Sequence, residues 1–586
     1  MIKQALLLTT MIAFSLISTI SASSPVEGPS PEAIIVYTTD VHGNFFPRDF
    51  IRRQPAEGSL ARVANYVKQL RSRYGDDRVA LLDNGDILQG QPTAYYYNFI
   101  DTTATHPADE IYRVMGYDAT SVGNHDIETG HAVYDRWAAA AGIPVLAANV
   151  IDRSTGKPYF QPYTVIDRGG LKIAVIGLLS PAIPAWLPET LWAGLEFRDM
   201  EPAAREWVEI VRKQENPDLV IGLFHSGADS TKRTGDYLEN ASALVGAHVD
   251  GFDAILMGHD HRVCLDSVTA PSGRRIPILN PANNARNVGQ LSVYRASDGR
   301  PAIKPAIVDI TGYEPEPSYM AHFSHQIAEV DSFVNRQIGE FADSLVENAA
   351  LFGPSSFMTL LHDLQLAISG ADVSIAAPLS LGGVIAKGPA RIADMFTLYK
   401  YENMLYTMLL TGQELKDYLE YSYSLWVNQI TSDQPHLINF ESASPTKTDN
   451  RLKNPVYNFD SAAGVRYTVD ITKPAGERVT ILSMADGRPF SADSVYTVAV
   501  NSYRGNGGGD HLVKGAKIPA SELTSRIVSS TDKDLRYYLI RQIEQIGSIA
   551  PRTDRNWEFL PAAVALPAIA ADRDLLFSND SSREQK

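Results

Sequence analysis

Five short motifs in the first half of this 586-residue chain carry side chains that could do metal chemistry: Asp40-Val-His42, Asn84-Gly-Asp86, Gly123-Asn-His-Asp126, His225-Ser-Gly227 and Gly258-His-Asp-His261. Together they offer carboxylate, imidazole and amide donors, a mixture able to hold two divalent ions. Mixed oxygen and nitrogen ligation suits Zn²⁺, Mn²⁺, Fe or Co and suits Mg²⁺ or Ca²⁺ poorly, since those prefer oxygen. A single Asp-x-His is weak, because a histidine after a strand is more often a satisfied core or surface residue. Five such motifs in order are hard to attribute to packing, since burying so many ionisable groups without a cation is costly.

Each motif follows a short apolar run: Ala33 to Tyr37, Val79 to Leu82, Ala119 to Val122, Leu219 to Phe224 and Ala254 to Met257. Runs of this length suit strands buried on both faces, and functional groups gather beyond the carboxyl ends of such strands. If the five lie side by side, five loops converge on one edge. Helical stretches, among them Ser59 to Arg73 and Ala203 to Lys213, alternate with the strands. That alternation predicts an α/β or four-layer α/β/β/α domain over 31–312. A proline-rich break at Tyr313-Glu-Pro-Glu-Pro-Ser318 follows. Ile327, Val330, Val334, Ile338, Phe341 and Leu345 then recur every three or four residues, which predicts one linker helix over 318–347. Residues 348–548 mix helical stretches (Phe357 to Ile368, Gly412 to Tyr423) with strand-like ones (Val465 to Ile471, Val495 to Val500), as an α+β domain would. A glycine cluster, Tyr503-Arg-Gly-Asn-Gly-Gly-Gly-Asp510-His511, closes it, and 549–586 reads as a tail whose last, polar residues fray.

The chain is too long for one core. Its 44% hydrophobic and 20% charged residues are ordinary for a soluble protein. A formal net charge of −16 argues against a nucleic-acid polymer as partner. It leaves room for a small phosphorylated ligand whose charge bound metals neutralise. Residues 1–23 read as a signal peptide: Lys3, an apolar stretch from Ala5 to Ile20, then Ser21-Ala-Ser23. No later segment is apolar enough to span a bilayer, and no cysteine follows the signal to carry a lipid. The expectation is a periplasmic or secreted protein with no stable membrane anchor. The sole cysteine, Cys264, reads as a lone thiol rather than a ligand.

At these motifs the chain resembles the calcineurin-like metallophosphoesterases, and within them the secreted 5′-nucleotidase family with its 2′,3′-cyclic-nucleotide 2′-phosphodiesterase/3′-nucleotidase branch. The resemblance implies a dinuclear-metal hydrolase acting on nucleotides, with a phosphoesterase domain followed by a nucleotide-binding C-terminal domain. It implies one ion at Asp40, His42, Asp86 and His261, and another at Asp86, Asn124, His225 and His259, with Asp86 bridging. It also implies that His125 contacts the phosphate and protonates the leaving oxygen. The acidic residue that orients this histidine in the family corresponds here to Glu128, and Asp126 stands where the family has Glu. Two aromatics are implied to sandwich the base: Phe459, with Tyr457 competing, and Tyr503. Asp510 is the implied acceptor for a ribose hydroxyl or base N–H.

One departure bears on the branch. Typical 5′-nucleotidases carry an Arg in an Asn-Gly-Gly-Gly-Ile-Arg segment, whereas this chain reads Ala376-Ala-Pro-Leu-Ser-Leu-Gly-Gly383. That stretch, Tyr399-Lys-Tyr-Glu-Asn403, Asn458-Phe-Asp460 and Asn501-Ser-Tyr-Arg504 resemble the cyclic-phosphodiesterase/3′-nucleotidase branch instead. A 5′-nucleotidase, with or without nucleotide-sugar pyrophosphatase activity, is the alternative. A non-catalytic binding or adhesion protein on the same scaffold is the further one, disfavoured because all eight ligand positions hold competent side chains.

Overall fold

The computed structural model describes residues 30–297, 299–442 and 451–577; residues 1–23, expected to form a signal peptide, lie outside them. All five apolar runs are strands: β1 (Ala33–Thr38), β2 (Val79–Asp83), β3 (Ala119–Ser121), β4 (Leu219–His225) and β5 (Ala254–Met257). They do not lie side by side in one sheet. β1, β2 and β3 are parallel neighbours in one six-stranded sheet, and β4 and β5 are parallel neighbours in a second.

The two sheets stack through one apolar layer. Ile35 and Tyr37 point inward from β1 to meet Ile221 and Leu223 of β4 and Leu256 of β5, all fully buried. Their neighbours Ile34 and Val36 point outward, onto Val63 and Val67 of the helix Leu60–Tyr74. On the far face, Ala174 and Ile176 pack on Ala204 and Val208 of the helix Met200–Glu215. Period-2 alternation buried on both sides thus yields the four-layer α/β/β/α order. The Tyr37 hydroxyl crosses between the sheets to the carbonyls of Leu279 (2.7 Å) and Met257 (3.2 Å).

Two expectations fail after residue 312. The linker is not one helix: Pro317–His322 and Ser324–Asn335 are separate helices, and Gln337–Phe341 is a strand. The chain turns extended at Arg336 (ψ 122), and the new strand pairs with Gly388–Arg391 and Ser548–Ile549. Ile338 and Phe341 face inward there because the register shifts between Gln337 and Gly339, so a spacing of three serves a bulged strand as well as a helix. Nor is 549–586 merely a tail. Trp557–Leu560 pairs in parallel with Val465–Asp470, and the helix Ala562–Phe577 buries Ala565 and Ala568 against that core.

The rest of the second half centres on a five-stranded sheet, ordered Ser461–Ala463, Val373–Ala376, Val495–Asn501, Leu405–Thr411 and Ile527–Ser530. The helices Ser356–Ser369 and Gly412–Trp426 pack with it. Tyr95 ties the halves together: its hydroxyl donates to Asp534 at 3.1 Å, and the guanidinium of Arg536 lies 4.9 Å from its ring centroid.

Removing the Tyr37 hydroxyl leaves two buried carbonyls without that donor. Tyr37→Phe should lower the stability of the first domain by about 1–3 kcal/mol, read as a fall in the urea midpoint; an unchanged midpoint would show that the inter-sheet bond contributes nothing.

Candidate functional site

β1, β2 and β5 each end just before a sharp change of backbone direction. Asp40 (φ 50), His42 (φ 50), Asp86 (φ 57), His259 (φ 75) and His261 (φ 54) all enter the left-handed region. Such a conformation costs roughly 1–3 kcal/mol per non-glycine residue and collects at functional sites. Five of the seven candidate ligand residues bear it. Gly123 supplies the other close approach, since a Cβ there would stand 2.1 Å from Asp86 Oδ1.

The loops bring all seven residues together. Donor atoms of Asp40, His42, Asp86 and His261 lie within 4.8 Å of one another. Within this group, His261 Nε2 is 3.0 Å from His42 Nε2 and 3.2 Å from Asp40 Oδ1. Beside it, His225 Nε2 stands 3.1 Å from Asp86 Oδ2 and 3.2 Å from Asn124 Oδ1, and His259 Nδ1 is 2.8 Å from the same amide oxygen. Asp86 belongs to both groups. Asp40, Asp86 and His225 are almost wholly buried, and His261 alone is exposed.

The surroundings fit a cation. His225 Nδ1 donates to the Asn84 carbonyl at 2.6 Å, which leaves Nε2 facing the cluster. Likewise His259 Nε2 donates to Glu239 at 3.1 Å and leaves Nδ1 inward. Burial pushes the His225 imidazolium down, yet Asp86 and Asp40 outweigh this and carry it up to about 10. The site therefore draws positive charge strongly. Trp186 stacks on His259 with ring centroids 5.3 Å apart. Cys264 is half-buried on an edge strand and is not among the donors.

Asp126 holds this geometry without joining it. Its carboxylate accepts the backbone N–H groups of Asp86 (2.8 Å), Ile87 (3.0 Å), Leu88 (2.9 Å) and Gly123 (2.8 Å). His125 Nδ1 meets Glu128 Oε2 at 2.5 Å, so the longer glutamate reaches the histidine directly. Burial pushes the His125 imidazolium down, but Asp86 and Glu128 raise it to about 9. A divalent ion on Asp86 would take back part of that field.

His125 and Glu128 open onto a cavity of about 420 Å³ between the two halves, lined also by Trp186, Lys232, Tyr401, Tyr457, Tyr503 and Asp510. Two of the expected aromatics are there, Tyr457 and Tyr503, with ring centroids 6.5 Å apart and planes at 89°. Phe459 is not. It is fully buried and stacks on Trp426 at 5.6 Å, inside the core of the second half. Val456–Asn458 forms a short 3₁₀ turn rather than a strand, so Tyr457 turns to the cavity and Phe459 to the interior. Asp510 lines the cavity while paired with Lys514 at 2.8 Å.

Buried Arg504 fixes both aromatics. It pairs with Asp460 at 2.7 Å and donates to the carbonyls of Tyr457 and Gly508. Sequence reasoning missed Trp186, Lys232 and Tyr401 as cavity residues. Tyr401 lay within a quoted motif; Trp186 and Lys232 carried no spacing signal.

Asp126→Asn replaces one acceptor oxygen with an amide that faces backbone N–H groups. Metal affinity should fall about 10- to 100-fold, measured by titration of the metal-free protein; wild-type affinity would show that the clamp does not shape the site.

Residues 34–263 match the family profile described as calcineurin-like phosphoesterase, and residues 337–514 match that of the 5′-nucleotidase C-terminal domain. The trifunctional nucleotide phosphoesterase protein YfkN of Bacillus subtilis is 26% identical over 91% of this chain, which spans 39% of that protein's length. The 2′,3′-cyclic-nucleotide 2′-phosphodiesterase/3′-nucleotidase of Haemophilus influenzae is 28% identical, covering 90% of this chain and 87% of its own. A crystal structure of a candidate 5′-nucleotidase from Staphylococcus aureus shares the fold, with a TM-score of 0.73 at 21% identity over 90% of this chain and 99% of that one. The chain thus joins a calcineurin-like phosphoesterase domain, which carries the Asp/His cluster, to a 5′-nucleotidase C-terminal domain, and is a phosphoric ester hydrolase.

Proposed function

We propose that this chain hydrolyses 2′,3′-cyclic nucleotides and 3′-nucleotides, releasing nucleoside and phosphate. The observation that carries the reading is that His125, whose backbone N–H meets Asp86 of the donor cluster at 2.8 Å, lines an aromatic cavity between the two halves. The Haemophilus influenzae relative, whose similarity runs through both halves, supports this branch over the 5′-nucleotidases. So does the segment Ala376 to Gly383, which has no arginine. The leader-like residues 1–23 support an exported, periplasmic enzyme; no helix among the described residues is long and apolar enough to cross a membrane.

We assign one divalent ion to Asp40, His42, Asp86 and His261, and a second to Asp86, Asn124, His225 and His259, with Zn²⁺, Mn²⁺, Fe or Co suited to the donors. When bound, such a pair polarises phosphoryl oxygens and acidifies a water molecule. The chain's own residues do the rest. His125, held through Nδ1 by Glu128, keeps Nε2 available to protonate the departing ribose oxygen. Tyr457 and Tyr503 present rings to the base, and the Arg504–Asp460 pair holds the turn and the glycine loop that carry them. Lys232 and Trp186 line the cavity on the metal side.

A panel on metal-loaded protein tests this: 3′-AMP, 2′,3′-cyclic AMP, 5′-AMP, UDP-glucose and p-nitrophenyl phosphate. The first two should be turned over most efficiently, and Tyr457→Ala or Tyr503→Ala should raise KM for 3′-AMP by roughly 5- to 150-fold, the equivalent of one lost base stack, leaving the aryl phosphate unaffected. Preference for 5′-AMP or UDP-glucose would favour the 5′-nucleotidase reading. Equal losses on every ester would remove the tyrosines from base recognition.

A further inference from the structure

A second cavity, of about 740 Å³, is walled in part by the cluster residues His42 and His261. It has His125, Leu379 and Tyr401 in common with the aromatic cavity. A nucleotide with its phosphate at the cluster and its base beside Tyr457 and Tyr503 would therefore cross between His125 of the first domain and Leu379 and Tyr401 of the second. The ester oxygen meets His125 at this crossing, so the carbon that bears it meets Leu379.

Leu379 lies on the loop 377–383, between the strand Val373–Ala376 and the short strand Val384–Ile385. One buried side chain fixes that loop. The Glu347 carboxylate accepts the N–H groups of Leu379 (2.9 Å) and Ser380 (2.8 Å) on one oxygen. On the other it accepts the Gly383 N–H (3.1 Å) and the Ser380 hydroxyl (2.5 Å). Its own N–H donates to the Gly383 carbonyl at 2.9 Å, continuing the pairing of Leu345–Val346 with Val384–Ile385. The approach is close enough that a Cβ on Gly383 would stand 2.4 Å from Glu347 Oε2. Glu347 is 1% exposed, and a buried carboxylate is unfavourable unless donors meet it. Burial raises its carboxyl, and the Ser380, Leu379 and Gly383 donors pull it down. Glu347 thus clamps a loop of the second domain as Asp126 clamps those of the first.

Resting on the proposed nucleotide hydrolysis, we propose that Glu347 is a positioning residue that holds Leu379 against the ribose, and that this contact selects esters on a ring carbon over esters on the 5′-methylene. Leu379 offers only carbon, so it packs on sugar C–H groups rather than on phosphate oxygens. In a 3′-nucleotide or a 2′,3′-cyclic nucleotide the carbon bearing the ester belongs to the ribose ring, which sets the ring between His125 and Leu379. In a 5′-nucleotide a methylene intervenes, and the ring lies one atom farther out. A difference of one methylene against an apolar wall is worth roughly 10- to 200-fold. That discrimination needs a wall that stays in place, because a loose loop would follow either ring.

The ratio of kcat/KM on 3′-AMP to that on 5′-AMP reads this contact, since metals, base and tyrosines are common to both substrates. The wild-type ratio should exceed one. It should fall about tenfold or more in Leu379→Ala and about fivefold or more in Glu347→Gln, whose amide turns N–H groups toward backbone N–H groups. Gly383→Ala, which drives a Cβ into the same carboxylate, should match Glu347→Gln and replaces it if that variant does not fold. The Glu347→Gln/Leu379→Ala double variant should fall no further than Leu379→Ala, because one residue acts through the other. A merely structural role would lower both substrates together and leave the ratio where it was. An unchanged ratio in Leu379→Ala or in Glu347→Gln, or losses that multiply in the double variant, overturns this inference alone. A wild-type ratio below one, or no hydrolysis of 3′-AMP, overturns the proposed function and this inference with it.

Discussion

Four backbone N–H groups converge on the carboxylate of Asp126, and the positions of the catalytic loops follow from that convergence. Three of the donors belong to the Asp86 loop and one to Gly123, so a single side chain ties the end of β2 to the turn after β3. Asp86 is then fixed with one oxygen accepting the His125 N–H at 2.8 Å and the other facing His225. The arrangement has a cost. Burial raises Asp126, and the neighbouring Asp86 raises it further, to about 6. Two carboxylates this close, in so little water, need either protons or cations to compensate them. The cluster of imidazoles supplies part of that compensation, and bound divalent ions would supply the rest.

The same economy explains the backbone. Left-handed turns at five ligand residues would be unfavourable in an ordinary loop. Here three of those turns are held by hydrogen bonds to the neighbouring loops. The Asp40 N–H bonds to the Gly85 carbonyl at 3.0 Å, the His42 N–H to the Asp86 carbonyl at 2.9 Å, and the His259 N–H to Asp40 itself at 3.0–3.1 Å. Stacking two mixed sheets rather than extending one is what places β1 and β2 opposite β4 and β5. A single flat sheet would have spread the loops along a line and left the donors too far apart to share an ion.

Much of this was legible in the residues. Apolar runs ending in Asp, Asn or His marked strand ends, because a buried strand needs continuous apolar sequence and its ligands must leave it abruptly. The Glu128 partner of His125 came from the family resemblance, and the helical turn Asn124–Glu128 brings the two together. The division of the runs between two sheets could not, since strands buried on both faces look alike in either. The linker misled for a related reason: Ile338 and Phe341 satisfy a helical spacing and a bulged strand equally well. Phe459 and Tyr457 were indistinguishable until the 3₁₀ turn showed which one faces the interior. Trp186 and Lys232 reach the cavity from the short helix Ile183–Trp186 and from the residue just before the strand Arg233–Thr234, and their types alone carry no signal.

The proposed metal centre turns on Asp86 as a carboxylate shared between two ions, with the remaining six residues divided on either side of it. Anomalous diffraction from crystals of the protein grown in Mn²⁺ would test this most directly. It predicts two peaks flanking Asp86, one against Asp40, His42 and His261 and the other against Asn124, His225 and His259. A single peak, or peaks that leave Asp86 uncoordinated, would contradict it.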